Sequence, residues 1–222
     1  IGFWGSLVYY NSYLPEIASA ENQDKVSARG FALGYFGSSL LLIICLISIM
    51  VLHIPAKFSF LFVGIWWIVF AQYTFKHLPD KNHDQHGGDK KHLFSKGFKE
   101  LKSVFDQVKQ MPLLKRFLSG YFLYNMGVQT VMVVAVLFAR NEIVWDSESA
   151  KTTSLIVSIL IIQFVGIVGS YAFSKLSDIT SNIKSLMVAI FIWIFICVFT
   201  YLVVRTPIQF YIVAFLVGFV MG

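Results

Sequence analysis

The sequence predicts an all-α bundle of membrane-crossing helices, and three observations carry that expectation. Of its 222 residues, 57% are hydrophobic and only 14% charged, against about 25% charged in an ordinary soluble domain. The apolar residues recur in runs close to the roughly 20 residues a helix needs to cross a hydrocarbon layer about 30 Å thick. Between the runs lie loops that hold most of the Lys and Arg. A net charge of +6 would also suit nucleic acid, but basic residues confined to interspan loops mark a cytoplasmic membrane face, so no nucleic-acid partner is expected. Cys45 and Cys197 stand inside apolar runs and read as small buried hydrophobes, with no disulfide or metal pair implied.

Taken in order, the spans begin with residues 1–13, opening on IGFWGSLVYY. Further runs cover 31–52, 58–75, 117–138, 153–174 and 186–204, and a last one starts at Ile208. Seven spans are expected, the first and last of them partial. The run 58–75 is short, but Trp66, Trp67 and Phe70 make its centre strongly apolar. The chain starts without Met or a basic leader and stops within VGFVMG, so it reads as a fragment cut at both ends with no visible signal peptide.

Orientation follows from Lys and Arg in alternate loops. Residues 14–29, 76–116 and 175–184 hold fourteen of them, whereas the opposite side holds Lys57, Arg140, Lys151 and Arg205. Positive residues are retained inside, so 76–116 is expected to be cytoplasmic. It divides the chain into 1–75, the end of an N-terminal helical half; 76–116, a basic linker; and 117–222, the start of a C-terminal half. Residues 77–92, HLPDKNHDQHGGDKKH, lack apolar side chains to bury and read as a mobile linker. His77, His83, His86 and His92 are too irregularly spaced to favour a metal site, and none is expected. In FSKGFKELKSVFDQVKQMP, Phe94, Phe98, Leu101, Phe105 and Val108 recur at helical spacing with Lys96, Lys99, Lys102 and Asp106 on other faces. That pattern predicts an amphipathic helix ended near Pro112, either lying along the inner leaflet or packing under the bundle.

Four words sharpen the reading: YNSYLPEIA at 10–18, VSARGFALGYFGSSLLL at 26–42, LYNMGVQT at 123–130 and QFVGIVGSYAFSKLSD at 163–178. They resemble the vacuolar-effluxer-like branch of the major facilitator superfamily, whose fungal relatives export amino acids from the vacuole. The resemblance implies a major facilitator fold, with these spans standing as roughly the fourth to the tenth of twelve, and a multi-pass protein of a bacterial inner (plasma) membrane. It departs at Met126, where an acidic residue is the pattern associated with this branch. It departs again at SKLSDITSNIK, which keeps only Asp178 with Lys175 and Lys184 as gating candidates from the glycine- and arginine-rich turn of major facilitators.

All twelve Asp and Glu lie in loops or at span edges on this reading, so this part of the chain offers no mid-membrane carboxylate. A coupling ion, proton or sodium, stays open. What remains at depth is neutral. Tyr121, Asn125 and Gln129 are spaced by four and share one helical stripe with Tyr124 beside it. Such a stripe either hydrogen-bonds to a neighbouring helix or faces a cavity and holds a polar solute. Asn11, beside Tyr9 and Tyr10 in a cluster that reads first as an interfacial aromatic anchor, and Gln163, which the following Gly166, Gly169 and Ser170 favour for helix packing, complete the substrate-binding candidates. Gly30, Gly34 and Ser38, at small-xxx-small spacing, and Gly166 are the helix-packing candidates.

No catalytic Ser/His/Asp or Cys/His arrangement falls at one depth and no phosphate-binding glycine loop has its strand, so neither enzymatic activity nor a cofactor is expected. The expected activity is secondary transport of a small polar solute, amino acids being the class the resemblance implies, with membrane lipid the other partner. The alternative is a non-transporting membrane scaffold or lipid-interacting protein.

Overall fold

Helix boundaries are written in the capping residues. In the computed structural model, which describes residues 2–77 and 93–222, Ser147 caps Glu148–Ile179 by accepting from the Ala150 N–H, and Ser181 caps Asn182–Val203 through the Lys184 N–H. Thr206 and Gln209 form a capping box at the start of Pro207–Met221, with Pro207 at its first turn, where a missing N–H goes unnoticed. Thr206→Ala should therefore cost about 1 kcal/mol, readable as a lower melting temperature in detergent.

All regular structure among the described residues is helical: α1 (Gly2–Ser12), α2 (Leu14–Ile17), α3 (Gln23–Met50), α4 (Ser59–His77), α5 (Leu93–Gln110), α6 (Pro112–Glu142), α7 (Glu148–Ile179), α8 (Asn182–Val203) and α9 (Pro207–Met221). Five stretches are long and apolar enough to cross a membrane: Gln23–Met50, Ala56–His77, Pro112–Glu142, Glu148–Ile179 and Asn182–Val203. The expected amphipathic helix is present as α5. The expected linker and its His83, His86 and His92 lie outside the described residues, while His77 ends α4 and its ring nitrogen meets the Tyr73 carbonyl at 2.8 Å. Helix α3 outruns its apolar window at the N-terminal end, and α6 and α7 at both ends, because polar flanks continue a helix without adding hydropathy. Asp24 in the first turn of α3 and Glu148 in that of α7 favour the positive end of the helix dipole.

The chain divides into two compact units, one joining the residues up to Trp67 with Phe138–Gly222, the other Ile68–Leu137. In the first unit α7 is the hub, packed along α9 and α3 and touching α8. Small residues permit the α7–α9 approach. A Cβ added to Gly169 would fall on the Phe219 carbonyl, one on Gly218 would lie 2.7 Å from the Ile162 oxygen, and one on Gly222 would strike the Gly166 backbone. Trp193, Ile196, Val213, Ala214 and Val217 are buried with them. At one end of this unit the loops before α7 and α9 are tied together by the Val144 N–H donating to the Arg205 carbonyl at 3.1 Å, and Trp145 donates to the Ala139 carbonyl at 2.7 Å.

Candidate functional site

Helices α3 and α7 run antiparallel in one register, so a residue on α3 meets the residue on α7 whose number completes a nearly constant sum. Three levels show it. At one end Ser177 donates to the Asp24 carboxylate at 3.0 Å and Lys25 lies 3.5 Å from Asp178. At mid-length Gly166 receives the Tyr35 ring, which an added Cβ would meet at 3.0 Å, and the Tyr35 hydroxyl donates to the Met221 carbonyl at 2.9 Å. One turn further along α3, Ser38 and Ser39 both donate to Gln163 Oε1, at 2.8 and 2.9 Å.

The Gln163 contact is the chemically richest. Its carbonyl oxygen has both lone pairs occupied by serine hydroxyls, while the two Nε2 donors have no partner among the described residues. That nitrogen is not sealed in, because the one buried polar side-chain atom without a partner among the described residues is the Thr200 hydroxyl. Ser39 is nearly fully buried, and the Tyr35 carbonyl, 2.8 Å from its hydroxyl, competes with Gln163 for its single proton. The arrangement is a fixed acceptor with an open donor, suited to a carboxylate or carbonyl.

On α6 the stripe behaves differently. Tyr121, Asn125 and Gln129 are exposed and Tyr124 is half-buried. Neither Asn125 nor Gln129 makes a side-chain hydrogen bond among the described residues, whereas Thr130 beside them returns its hydroxyl to the Met126 carbonyl at 2.8 Å. Their amides keep full donor and acceptor capacity. Asn11 on α1 is exposed too, and its neighbour Tyr10 brings its hydroxyl to 3.0 Å from where a Gly30 Cβ would stand. Gly34 meets nothing within 4 Å, so of the small-xxx-small positions Gly30 and Ser38 are the ones approached closely.

Of the gating candidates, Asp178 pairs with Lys25, on α3, rather than with Lys175 or Lys184; both of those are exposed, and the Lys184 backbone serves the Ser181 cap. Asp24 engages Ser177, and Arg29, further along α3, is exposed. Sequence reasoning missed Asp24, Lys25, Tyr35 and Ser39 as members of this seam; their signal is the shared antiparallel register, visible only once the two helices are paired. No described acid stands in the middle of a membrane-length helix: Asp24, Glu142, Glu148 and Asp178 all occupy first or last turns. No cluster of three or more His, Cys, Asp or Glu able to hold a metal occurs among the described residues.

Comparison with known proteins adds a family. The family model described as "Vacuole effluxer Atg22 like" matches residues 19–222. The chain is similar to the "Uncharacterized MFS-type transporter YxiO" of Bacillus subtilis, at 29% identity over all of this chain and 52% of the relative. It is also similar to the "Autophagy-related protein 22" of Yarrowia lipolytica (25% identical; 96% of this chain, 41% of the relative) and the "Autophagy-related protein 22-2" of Aspergillus oryzae (32%; 54% and 23%). The chain thus spans about half the length, or less, of these relatives. No solved structure matches it. The expected all-α membrane bundle of major facilitator type agrees with both the helices and the relatives.

Proposed function

Because the chain belongs to the Atg22-like vacuole effluxer family, we propose that it is the middle of a secondary transporter that moves a small polar solute by alternating access. The observation that carries the reading is the α3–α7 seam. A helix that precedes the basic stretch and one that follows it lie against each other through weak, separable contacts. An exposed ion pair contributes at most about 1 kcal/mol and an interhelical hydrogen bond within a membrane roughly 0.6 kcal/mol, so such a seam can open at one end and reclose.

Residues 1–75 and 117–222 then belong to the two moving halves and 76–116 to the cytoplasmic link, in a plasma membrane of bacterial type. Asn125 and Gln129, with the phenols of Tyr121 and Tyr124, offer a zwitterion neutral donors and acceptors along one stripe of α6; Gln163 Nε2, at the α3–α7 seam, is a separate open donor. Amino acids are the solute class that the family resemblance suggests. Reconstituting the full-length protein in vesicles and measuring uptake across an amino-acid panel tests this; no flux of any member would remove that class.

The Lys25–Asp178 pair supplies a second test. Lys25→Glu should shift the balance about fivefold towards the state open at the cytoplasmic end, the equivalent of about 1 kcal/mol. Adding Asp178→Lys should restore the balance, read from alkylation of a cysteine placed at Ser174. Equal alkylation in all three proteins would show that the pair does not hold the seam.

A further inference from the structure

We propose that α5 is a docking surface for anionic phospholipid, seated flat at the headgroup boundary where α6 enters the membrane. Its apolar sector is uncovered. Phe98 is 75% exposed, Leu101 71% and Phe105 61%, with Val104 exposed on the same side of the helix, and no helix among the described residues packs along it.

Three observations decide what covers that sector. The first is position. One residue, Met111, separates α5 from α6, and the turn is closed by the Met111 N–H to the Val108 carbonyl at 3.1 Å and the Lys115 N–H to the Met111 carbonyl at 3.0 Å. Lys115 and Arg116 stand just before the apolar run from Phe117, so they mark the level of the interface and hold the end of α5 at it.

The second is charge. Residues 76–116 carry ten Lys and Arg against five Asp and Glu, an excess suited to anionic headgroups. The third is where the lysines stand on the helix. By helical spacing Lys102 and Lys109 border the apolar sector, and the Lys109 ammonium lies 4.6 Å from the Phe105 ring centroid and 3.6 Å from Asp106. The ammonium thus lies over the ring and beside Asp106, at the edge of the apolar sector, and its exposed side chain can swing to a phosphate as the ring enters the acyl region.

The test uses the full-length protein in nanodiscs, with Cys45 and Cys197 replaced by Ala and a polarity-sensitive fluorophore on Val104→Cys, or on Gln107→Cys as the water-facing control. Phosphatidylcholine discs are compared with discs containing phosphatidylglycerol, each with and without brominated acyl chains. The label at 104 should be quenched by brominated lipid, more strongly with phosphatidylglycerol present, and the label at 107 should be quenched by aqueous iodide.

Changing Lys99, Lys102 and Lys109 to Gln should weaken docking about fivefold per lysine. These side chains are exposed and no helix among the described residues packs along α5, so loss of fold does not confuse the result. Absence of lipid quenching at 104, whether the label is open to iodide or shielded by protein, overturns the proposal, as does quenching indifferent to both phosphatidylglycerol and the lysines. The readout needs no transport, so it stands apart from the transporter reading.

Discussion

Gly169→Leu should strongly destabilise the first unit. The α7 and α9 backbones touch there, and the atom facing the new side chain is the Phe219 carbonyl oxygen, not the end of a flexible side chain. With nothing able to yield locally, one helix must move, and overpacking of that kind costs about 1–3 kcal/mol, occasionally more. Gly34→Leu is the matched control, because its Cβ meets nothing within 4 Å and its effect should stay within about 0.5 kcal/mol. Melting of the two purified variants in detergent decides the matter, and equal melting temperatures would mean that α7 and α9 do not approach as described.

The second large effect belongs to function. Asn125→Leu with Gln129→Leu should leave stability unchanged within about 0.5 kcal/mol, since both side chains are exposed and unbonded among the described residues. Flux through the full-length protein should fall about tenfold for each solute hydrogen bond removed, if each contributes roughly 1.4 kcal/mol. Gln163→Leu should behave differently, lowering flux and also loosening α3 from α7, because Ser38 and Ser39 both lose their shared acceptor. Wild-type flux in the double variant would remove the α6 stripe from the site. A scaffold without transport would be indifferent to Gln129 and sensitive to Phe98 and Phe105.

The stripe and the seam were unequally legible. Spacing by four places Tyr121, Asn125 and Gln129 on one side of a helix whatever surrounds it, so that grouping could be read from residue numbers. Gln163 could be seen as a polar residue at depth, but not that two serines 124 and 125 positions away would satisfy its oxygen. Asp178 was marked by its family turn, yet its partner proved to be Lys25. Glycines were equally ambiguous. Gly34 and Gly169 look alike in sequence, and one faces open space while the other meets a backbone.

Composition and periodicity determined that the chain is helical, that its spans cross a lipid layer and that α5 is amphipathic. Each of these depends on how residues a few positions apart meet their surrounding medium, water or hydrocarbon. The pairing of α3 with α7, the contact of α7 with α9 and the Lys25–Asp178 link were decided by tertiary structure alone. In lipid the hydrophobic effect does not distinguish a helix neighbour from an acyl chain, so apolar pattern cannot select partners. Selection falls to close packing at small residues and to a few hydrogen bonds and ion pairs, whose partners are settled only when distant helices come into register.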